Sequence, residues 1–259
     1  MKSILVHIEN HVAYIKLNRP QAFNSFNREM AFSLQECLDN CSSDPDVRVI
    51  LLSGEGRAFC AGQDLNEVTD QLQNPGFQKI LEEHYNPIIK RIRKISKPII
   101  AAVNGVAAGA GANIALACDI ILASEKASFI QAFSKIGLVP DSGGSFFLPR
   151  LIGFHRAMAL MMTGDKVDAT EAQRMGMVYK IFSLDTFSEE TRSFAERMAT
   201  LPPIGLSRTK QLMNETYNNA LSEQLELESH HQIAASQTED YAEGVNAFLE
   251  KRKPTFRGK

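Results

Sequence analysis

The chain has 259 residues, of which 44% are hydrophobic and 22% charged, with a formal net charge of −2. These are ordinary values for a soluble globular protein of one large domain, or of one domain with an appendage. A charge so close to neutral excludes a nucleic-acid or anionic-membrane surface that works by bulk attraction. Residues 3–8 and 12–17 are predicted as two short strands joined through Glu9-Asn10-His11. The polar turn NRPQAFNSFN follows. Met30, Leu34, Leu38 and Cys41 then recur near helical spacing and predict an amphipathic helix over 28–41, broken by Asp44-Pro45-Asp46. VRVILLS, 47–53, is predicted as a buried strand, and GEGRAFCAGQDL after it as a loop. Residues 77–94 are predicted helical with an interruption near Pro87. KPIIAAVNG (97–105) is a second buried strand, GAGANIALACD a tightly packed helix of small residues, and IILAS (120–124) a further strand. Strand, helix and strand in succession predict crossover units in a layered α/β core.

Beyond about residue 153 the pattern turns mostly helical, around Leu160–Met162, Ala169–Met175 and 186–199, with a further helix opened by Pro202-Pro203. Ser236 and Glu239 have the spacing of a capping box, and Tyr241, Val245, Phe248 and Leu249 then form one apolar face. The expected organisation is an α/β core over 1–195 and a helical region over 196–259 that packs on the core or on a neighbour. The four cysteines include no CxxC pair and the six histidines no HExxH, so no metal site is expected and the thiols are read as reduced. No signal-peptide run and no apolar stretch of membrane-spanning length is present, which gives a cytoplasmic protein as the expectation. The basic runs Lys90-Arg91, Arg93-Lys94 and Lys251-Arg252-Lys253 are expected on solvated faces, with contact to a phosphate-bearing ligand as the other reading.

Three stretches invite chemical readings. Asp141-Ser142-Gly143-Gly144 has the surroundings of a protease serine, but a chain of alternating strands and helices without a GxSxG elbow gives Ser142 no such fold to work in. Gly105, Gly109 and Gly111 lie between a strand and a helix like a dinucleotide loop, yet none of the five tyrosines has a lysine four positions on. The third reading joins FCAGQDL with NGVAAGAGAN. Each follows a buried strand, and each offers small residues through which backbone N–H groups approach a ligand closely. Two such groups aimed at one carbonyl oxygen make an oxyanion hole.

Together with FSKIGLVPDSGG, LPRLIG, MTGDKVDATEAQRMGMV and EGVNAFLEKRKPTF, these loops resemble the enoyl-CoA hydratase/isomerase, or crotonase, superfamily over nearly the whole chain. The resemblance implies a spiral of β-β-α units with a helical C-terminal trimerisation region, and a homotrimer or a hexamer built as a dimer of trimers. It implies an acyl-CoA thioester as substrate, with no metal and no cofactor beyond the coenzyme A carried by that substrate. No nucleic acid or membrane is an expected partner. Gln63 and Ala110 would supply the two oxyanion N–H groups, and Ala61, Gly62, Gln63, Asp64, Leu65 and Gly109 would line the thioester and coenzyme A. Hydratases of the superfamily use two glutamates to activate water; their places here hold Asn113, read either as a hydrogen-bond partner of substrate or water or as filling the glutamate's space, and Phe133, read as pocket wall. Isomerases of the superfamily can use one carboxylate, whose place holds Asp141. A 1,3-proton shift needs one base that takes a proton from one carbon and returns it at another. Phe133, Ile136, Leu138 and Val139 are expected to keep Asp141 in apolar surroundings and so strengthen it as a base. Asp64 is read as a loop-stabilising residue and Asp119 as a structural carboxylate. The implied reaction is isomerisation of a ring-epoxidised phenylacetyl thioester, of a 3-enoyl thioester to its 2-enoyl isomer, or of both, with hydration and non-catalytic acyl-CoA binding as the alternatives.

Overall fold

The computed structural model describes residues 2–69 and 74–259. Strands β1 (Ile4–Glu9) and β2 (Val12–Leu17) pair antiparallel across a tight turn. Asn10 and His11 both take positive φ there, the twist a two-residue hairpin needs. Helix α1 (Arg28–Ser43) starts where the Asn27 side chain accepts a hydrogen bond from the Met30 N–H. Three units then follow a common plan. Strand β3 (Val49–Gly54) leads to the short β4 (Ala58–Cys60) and α2 (Leu65–Thr69). After α3 (Phe77–Lys79), a π-helical turn and α4 (Asn86–Lys94), strand β5 (Ile99–Val103) leads to β6 (Val106–Ala108) and α5 (Ala110–Ala117). Strand β7 (Ile120–Ser124) leads to β8 (Ser128–Ile130) and a 3-10 turn, Ala132–Ile136. Helices α6 (Gly144–Ile152) and α7 (Phe154–Thr163), strand β9 (Lys166–Asp168), helix α8 (Ala169–Met175), strand β10 (Lys180–Phe182) and helix α9 (Phe187–Ala199) complete the core. Helices α10 (Pro203–Glu215), α11 (Leu221–Ser236) and α12 (Glu239–Leu249) end the chain.

The long strands make one sheet in the order β1-β2-β3-β5-β7-β10, parallel from β2 onward. The short strands make a second sheet in the order β4-β6-β8-β9. Side chains alternate across the first sheet. Ile50 and Leu52 pack with Met30, Leu34 and Leu38 of α1, while Val49 and Leu51 pack with Phe187, Ala195 and Ala199 of α9. Both faces are covered, which is why its strands read as unbroken apolar runs rather than alternating ones.

Four expectations are corrected. The predicted loop GEGRAFCAGQDL contains β4, a three-residue strand paired to β6, 47–48 positions further on by its bridged residues (Ala58 with Val106, Cys60 with Ala107). So short a strand has no periodicity of its own to betray it. The irregularity expected at Pro87 lies just before it, as the π-helical turn Ile80–Tyr85. Ser236 does not cap α12: its hydroxyl donates to the Ile233 carbonyl at the end of α11, and Thr238 accepts from the Tyr241 N–H instead. The division drawn at 195/196 falls inside α9, whose Ala195 packs on the sheet.

Candidate active site

The turn NRPQAFNSFN clamps the loop at 61–64. The Ala61 N–H donates to Phe23 O, the Phe26 N–H to Gly62 O and the Asp64 N–H to Phe26 O, at 3.0, 2.7 and 2.8 Å. Phe26 and Gln63 thereby form a parallel β-bridge. In such a bridge the flanking peptides serve the partner strand, so the N–H of the bridged Gln63 points the other way. Asp64 is buried and pairs with Arg19 at 2.8 Å, while its other oxygen accepts from the Asn66 N–H. These bonds tie the 61–66 loop to Arg19. Ala61 and Leu65 lie exposed on either side.

Helix α5 presses against this loop. Gly111 abuts the Cys60 carbonyl so closely that a β-carbon would overlap it. A β-carbon on Gly62 would sit 3.0 Å from Ala108 O and 3.5 Å from the Ala110 nitrogen, so the two predicted donor segments are adjacent. Ala110 is the first residue of α5, where N–H groups have no carbonyl within the helix. Gly109, with φ of 52°, turns the chain into the helix, and its own N–H is held by Ile130 O at 2.9 Å. The Cys60 thiol is buried and pushed up to about 12, which keeps it protonated and inert.

Asp141 stands at the head of a tight turn. Its carbonyl accepts the Gly144 N–H at 2.9 Å, and the two residues between, Ser142 and Gly143, both have positive φ. The buried Ser142 hydroxyl donates to Asp141 Oδ1 at 2.8 Å. Burial raises the Asp141 carboxyl above its ordinary value, and the Ser142 hydrogen bond opposes this without cancelling it. Of the four residues expected to dry this carboxylate, only Phe133 is buried; Ile136, Leu138 and Val139 are exposed at 57, 37 and 80%. Gly137 closes the 3-10 turn in the left-handed region, and the chain stays exposed from there through Val139. The apolar contact at the turn comes instead from Phe147 and Ile89, which crowd Gly143.

Asn113 lies one turn into α5 from Ala110 and is fully buried. Its Nδ2 donates to Asp141 O at 2.8 Å, and its Oδ1 accepts from Gln131 Nε2 at 2.8 Å. Asn113 therefore faces the Asp141 turn, not the open cleft expected of a substrate contact. Phe133 packs over Gly109, with its ring tip 3.8 Å from where a β-carbon would lie.

Sequence reasoning missed Tyr85, Glu67 and Gln131. The buried Tyr85 hydroxyl donates to Gln63 Oε1 at 2.9 Å, and Gln63 Nε2 donates to Glu67 Oε2 at 2.7 Å. The Gln63 side chain is thus held at both ends. Burial raises the Tyr85 hydroxyl well above its ordinary value, and the charges of Asp141, Glu67 and Asp64 push the same way. The basic residues divide: Arg91 pairs with Asp39, Arg93 with Asp119, and Arg252 with Glu243 and Glu250, while Lys94 and Lys253 are exposed. Among the described residues no group of three or more histidines, cysteines or carboxylates is arranged to hold a metal ion, and no helix is long and apolar enough to cross a membrane.

Comparison with known proteins gives a consistent set of relatives. The family described as enoyl-CoA hydratase/isomerase matches residues 7–259. The 1,2-epoxyphenylacetyl-CoA isomerase of Escherichia coli is 46% identical, with 100% of each chain covered. A probable enoyl-CoA hydratase of Rhodobacter capsulatus is 40% identical over 99% of this chain and 98% of its own. The trans-2-decenoyl-[acyl-carrier-protein] isomerase of Streptococcus mutans is 35% identical over 100% and 99%. Among solved structures, an enoyl-CoA hydratase/isomerase from Mycobacterium abscessus superposes with a TM-score of 0.93 at 35% identity, covering 99% of this chain and 100% of that one.

Proposed function

The chain belongs to the enoyl-CoA hydratase/isomerase family, and from that premise we propose an acyl-CoA isomerase in which Asp141 carries the proton. The observation behind this reading is the lone raised carboxylate of Asp141 in a site where the two places of a hydratase's glutamates hold a buried amide, Asn113, and a phenyl ring, Phe133. In this reading the thioester carbonyl lies between the N–H groups of Gln63 and Ala110. Asp141 removes a proton from the carbon next to that carbonyl, and charge moves onto the oxygen. Each N–H is then worth about 3–4 kcal/mol of barrier. For a 3-enoyl thioester the C2–H bond breaks, the double bond moves from C3–C4 to C2–C3, and Asp141 returns the proton at C4. No atom is gained or lost, and the step needs no group beyond the chain and the thioester. A raised pKa makes the carboxylate a stronger base for the first half, and the carboxylic acid so formed is still far more acidic than a C4–H bond, so it can protonate C4 of the dienolate.

The 46% identity to an epoxyphenylacetyl-CoA isomerase supports a ring-epoxidised phenylacetyl thioester as a substrate, with ring expansion to the oxepin as the isomerisation. Ala61, Gly62, Asp64, Leu65 and Gly109 line the thioester and coenzyme A in this reading, and Phe133 walls the acyl group over Gly109. The helical C-terminal region makes a trimer or a dimer of trimers. Its support is the α12 face, where Tyr241, Val245, Phe248 and Leu249 are 54, 41, 82 and 71% exposed around a hollow of about 470 Å³.

The test is an NMR assay of the protein with 3-hexenoyl-CoA in D2O, beside the same assay with Asp141→Asn. The parent should move the double bond and exchange deuterium at C2 and C4, and the variant should lose turnover by at least about 1000-fold. Retention of most turnover by the variant removes Asp141 from the mechanism. Water addition to crotonyl-CoA that outpaces isomerisation would make the chain a hydratase.

A further inference from the structure

The segment Ile130–Phe133 touches both halves of the site. Ile130 O holds the Gly109 N–H, at the turn that presents Ala110. The next residue, Gln131, is buried, and its Nε2 donates to Asn113 Oδ1; Asn113 Nδ2 in turn donates to Asp141 O. Two amides therefore run in series from β8 through α5 to the backbone of the proposed proton carrier. The last amide is tightly seated, since a β-carbon on Gly144 would overlap Asn113.

The chain carries an unsatisfied atom at its start. Gln131 Oε1 is buried and makes no hydrogen bond among the described residues. A buried orphan acceptor is costly, and an apolar side chain of the same shape would avoid that cost. A glutamine is nevertheless present, and what it provides is one donor aimed at Asn113. That donor fixes which way round the Asn113 amide sits. With its oxygen on Gln131, the Asn113 Nδ2 faces Asp141 O. With the amide flipped, an oxygen would face the Asp141 carbonyl and repel it. The orientation matters because Asp141 follows a proline and precedes two residues of positive φ, so its side-chain direction depends on where its own carbonyl is held.

We infer that Gln131 and Asn113 are positioning residues for Asp141: the Gln131 amide fixes the orientation of Asn113, which anchors the Asp141 carbonyl and so aims its carboxylate between the two carbons that exchange the proton. This rests on Asp141 being the proton carrier. It gives Asn113, at a hydratase glutamate's place, a task in isomerisation rather than in holding water.

The decisive variant is Gln131→Met, which keeps length and removes both the donor and the orphan oxygen. With 3-hexenoyl-CoA in D2O, kcat should fall by about 10- to 100-fold, the loss that small misplacements of a catalytic group produce. KM should stay within about twofold, because neither amide touches substrate. The ratio of C2 deuterium exchange to double-bond migration should rise, since a misaimed carboxylate still reaches the first carbon but returns the proton poorly at the second. Tm should stay within about 4 °C of the parent. Asn113→Ala should show the same pattern more strongly, and Gln131→Met alone decides if that variant does not fold. Unchanged kcat and unchanged exchange ratio in Gln131→Met overturn the inference, as does a rise in KM with kcat intact, or a kcat loss accompanied by a larger fall in Tm. Asp141→Asn run alongside separates the two readings. If it is inactive and Gln131→Met is normal, only the positioning role falls; if it is active, the proton carrier falls and the positioning role with it.

Discussion

Asp141 combines a half-buried carboxylate with a single hydroxyl donor, and its loss of hydration outweighs the donor, so its pKa lies above the ordinary 3.8. That imbalance has a stability consequence with a definite sign. Between pH 3.8 and the raised folded value, the unfolded chain has lost this proton while the folded chain keeps it, so stability falls as pH rises through that window. Above the window, the folded state bears a charge that its surroundings disfavour. Asp141→Asn removes the charge and keeps the shape, so it should raise Tm at pH 7, and the gain should vanish below about pH 3.8. Thermal melts of both proteins across pH 3.5–8 check this, and a lower Tm for the variant at pH 7 would mean that the carboxylate stabilises the turn. A site residue whose removal stabilises the fold is what a strained functional position produces. Asp141 could be singled out in the sequence because the motifs around it resemble a family in which that place can hold a carboxylate. Ser142 was legible only as a false nucleophile; its positive φ and its bond to Asp141 depend on a turn that no spacing rule specifies.

At the scale of single elements, long strands and long helices were readable, and short or irregular ones were not. Strands β3, β5 and β7 are buried on both faces and stand out as apolar runs. Strands β4, β6 and β8 have three residues each and exist because the spiral lays them side by side. The π-helical turn Ile80–Tyr85 is the most consequential element that the sequence left hidden. An extra residue in a helical turn shifts the following face, and such turns gather at functional sites. Here it ends on Tyr85, whose hydroxyl reaches Gln63 Oε1, while Glu67 holds the other end of that amide. The pair restrains rotation of the peptide whose N–H is the proposed oxyanion donor. Tyr85→Phe removes one restraint and keeps the ring packed on Phe26 at 5.9 Å. It should lower kcat by about 3- to 10-fold, the value of roughly one neutral hydrogen bond, with the fold intact. Steady-state kinetics with far-UV circular dichroism measures both, and an unchanged kcat would show that the bridge to Phe26 fixes Gln63 without help.

Across the whole molecule, the helical C-terminus is tied to the core by a partly buried charge cluster around the buried Lys210, which the sequence showed only as a structural aspartate. Asp119 stands between α5 and β7. It accepts from the Ile99 N–H at 2.8 Å, from Arg93 at 3.0 Å and from Lys210 of α10 at 2.8 Å. Lys210 Nζ also donates to Ile92 O and Lys97 O, so a lysine from α10 closes the end of α4 and the start of β5. Burial lowers the Lys210 pKa, and Asp119 is the largest influence keeping it charged. Nothing in the spacing of Arg93, Asp119 and Lys210 marks them as partners, because they lie 26 and 91 positions apart in order along the chain and meet only when α10 docks. Removing Asp119 leaves the buried Lys210 ammonium without its carboxylate, at about 3–5 kcal/mol. Asp119→Ala should therefore lower Tm by roughly 6–20 °C for a chain of this size. Lys210→Met in the same background should recover part of that loss, since it removes the stranded ammonium and keeps the packing. Melting curves of the two single variants and the double variant form the cycle. If the double variant loses the sum of the single losses, the two groups act independently, and the docking of α10 rests on its apolar contacts instead.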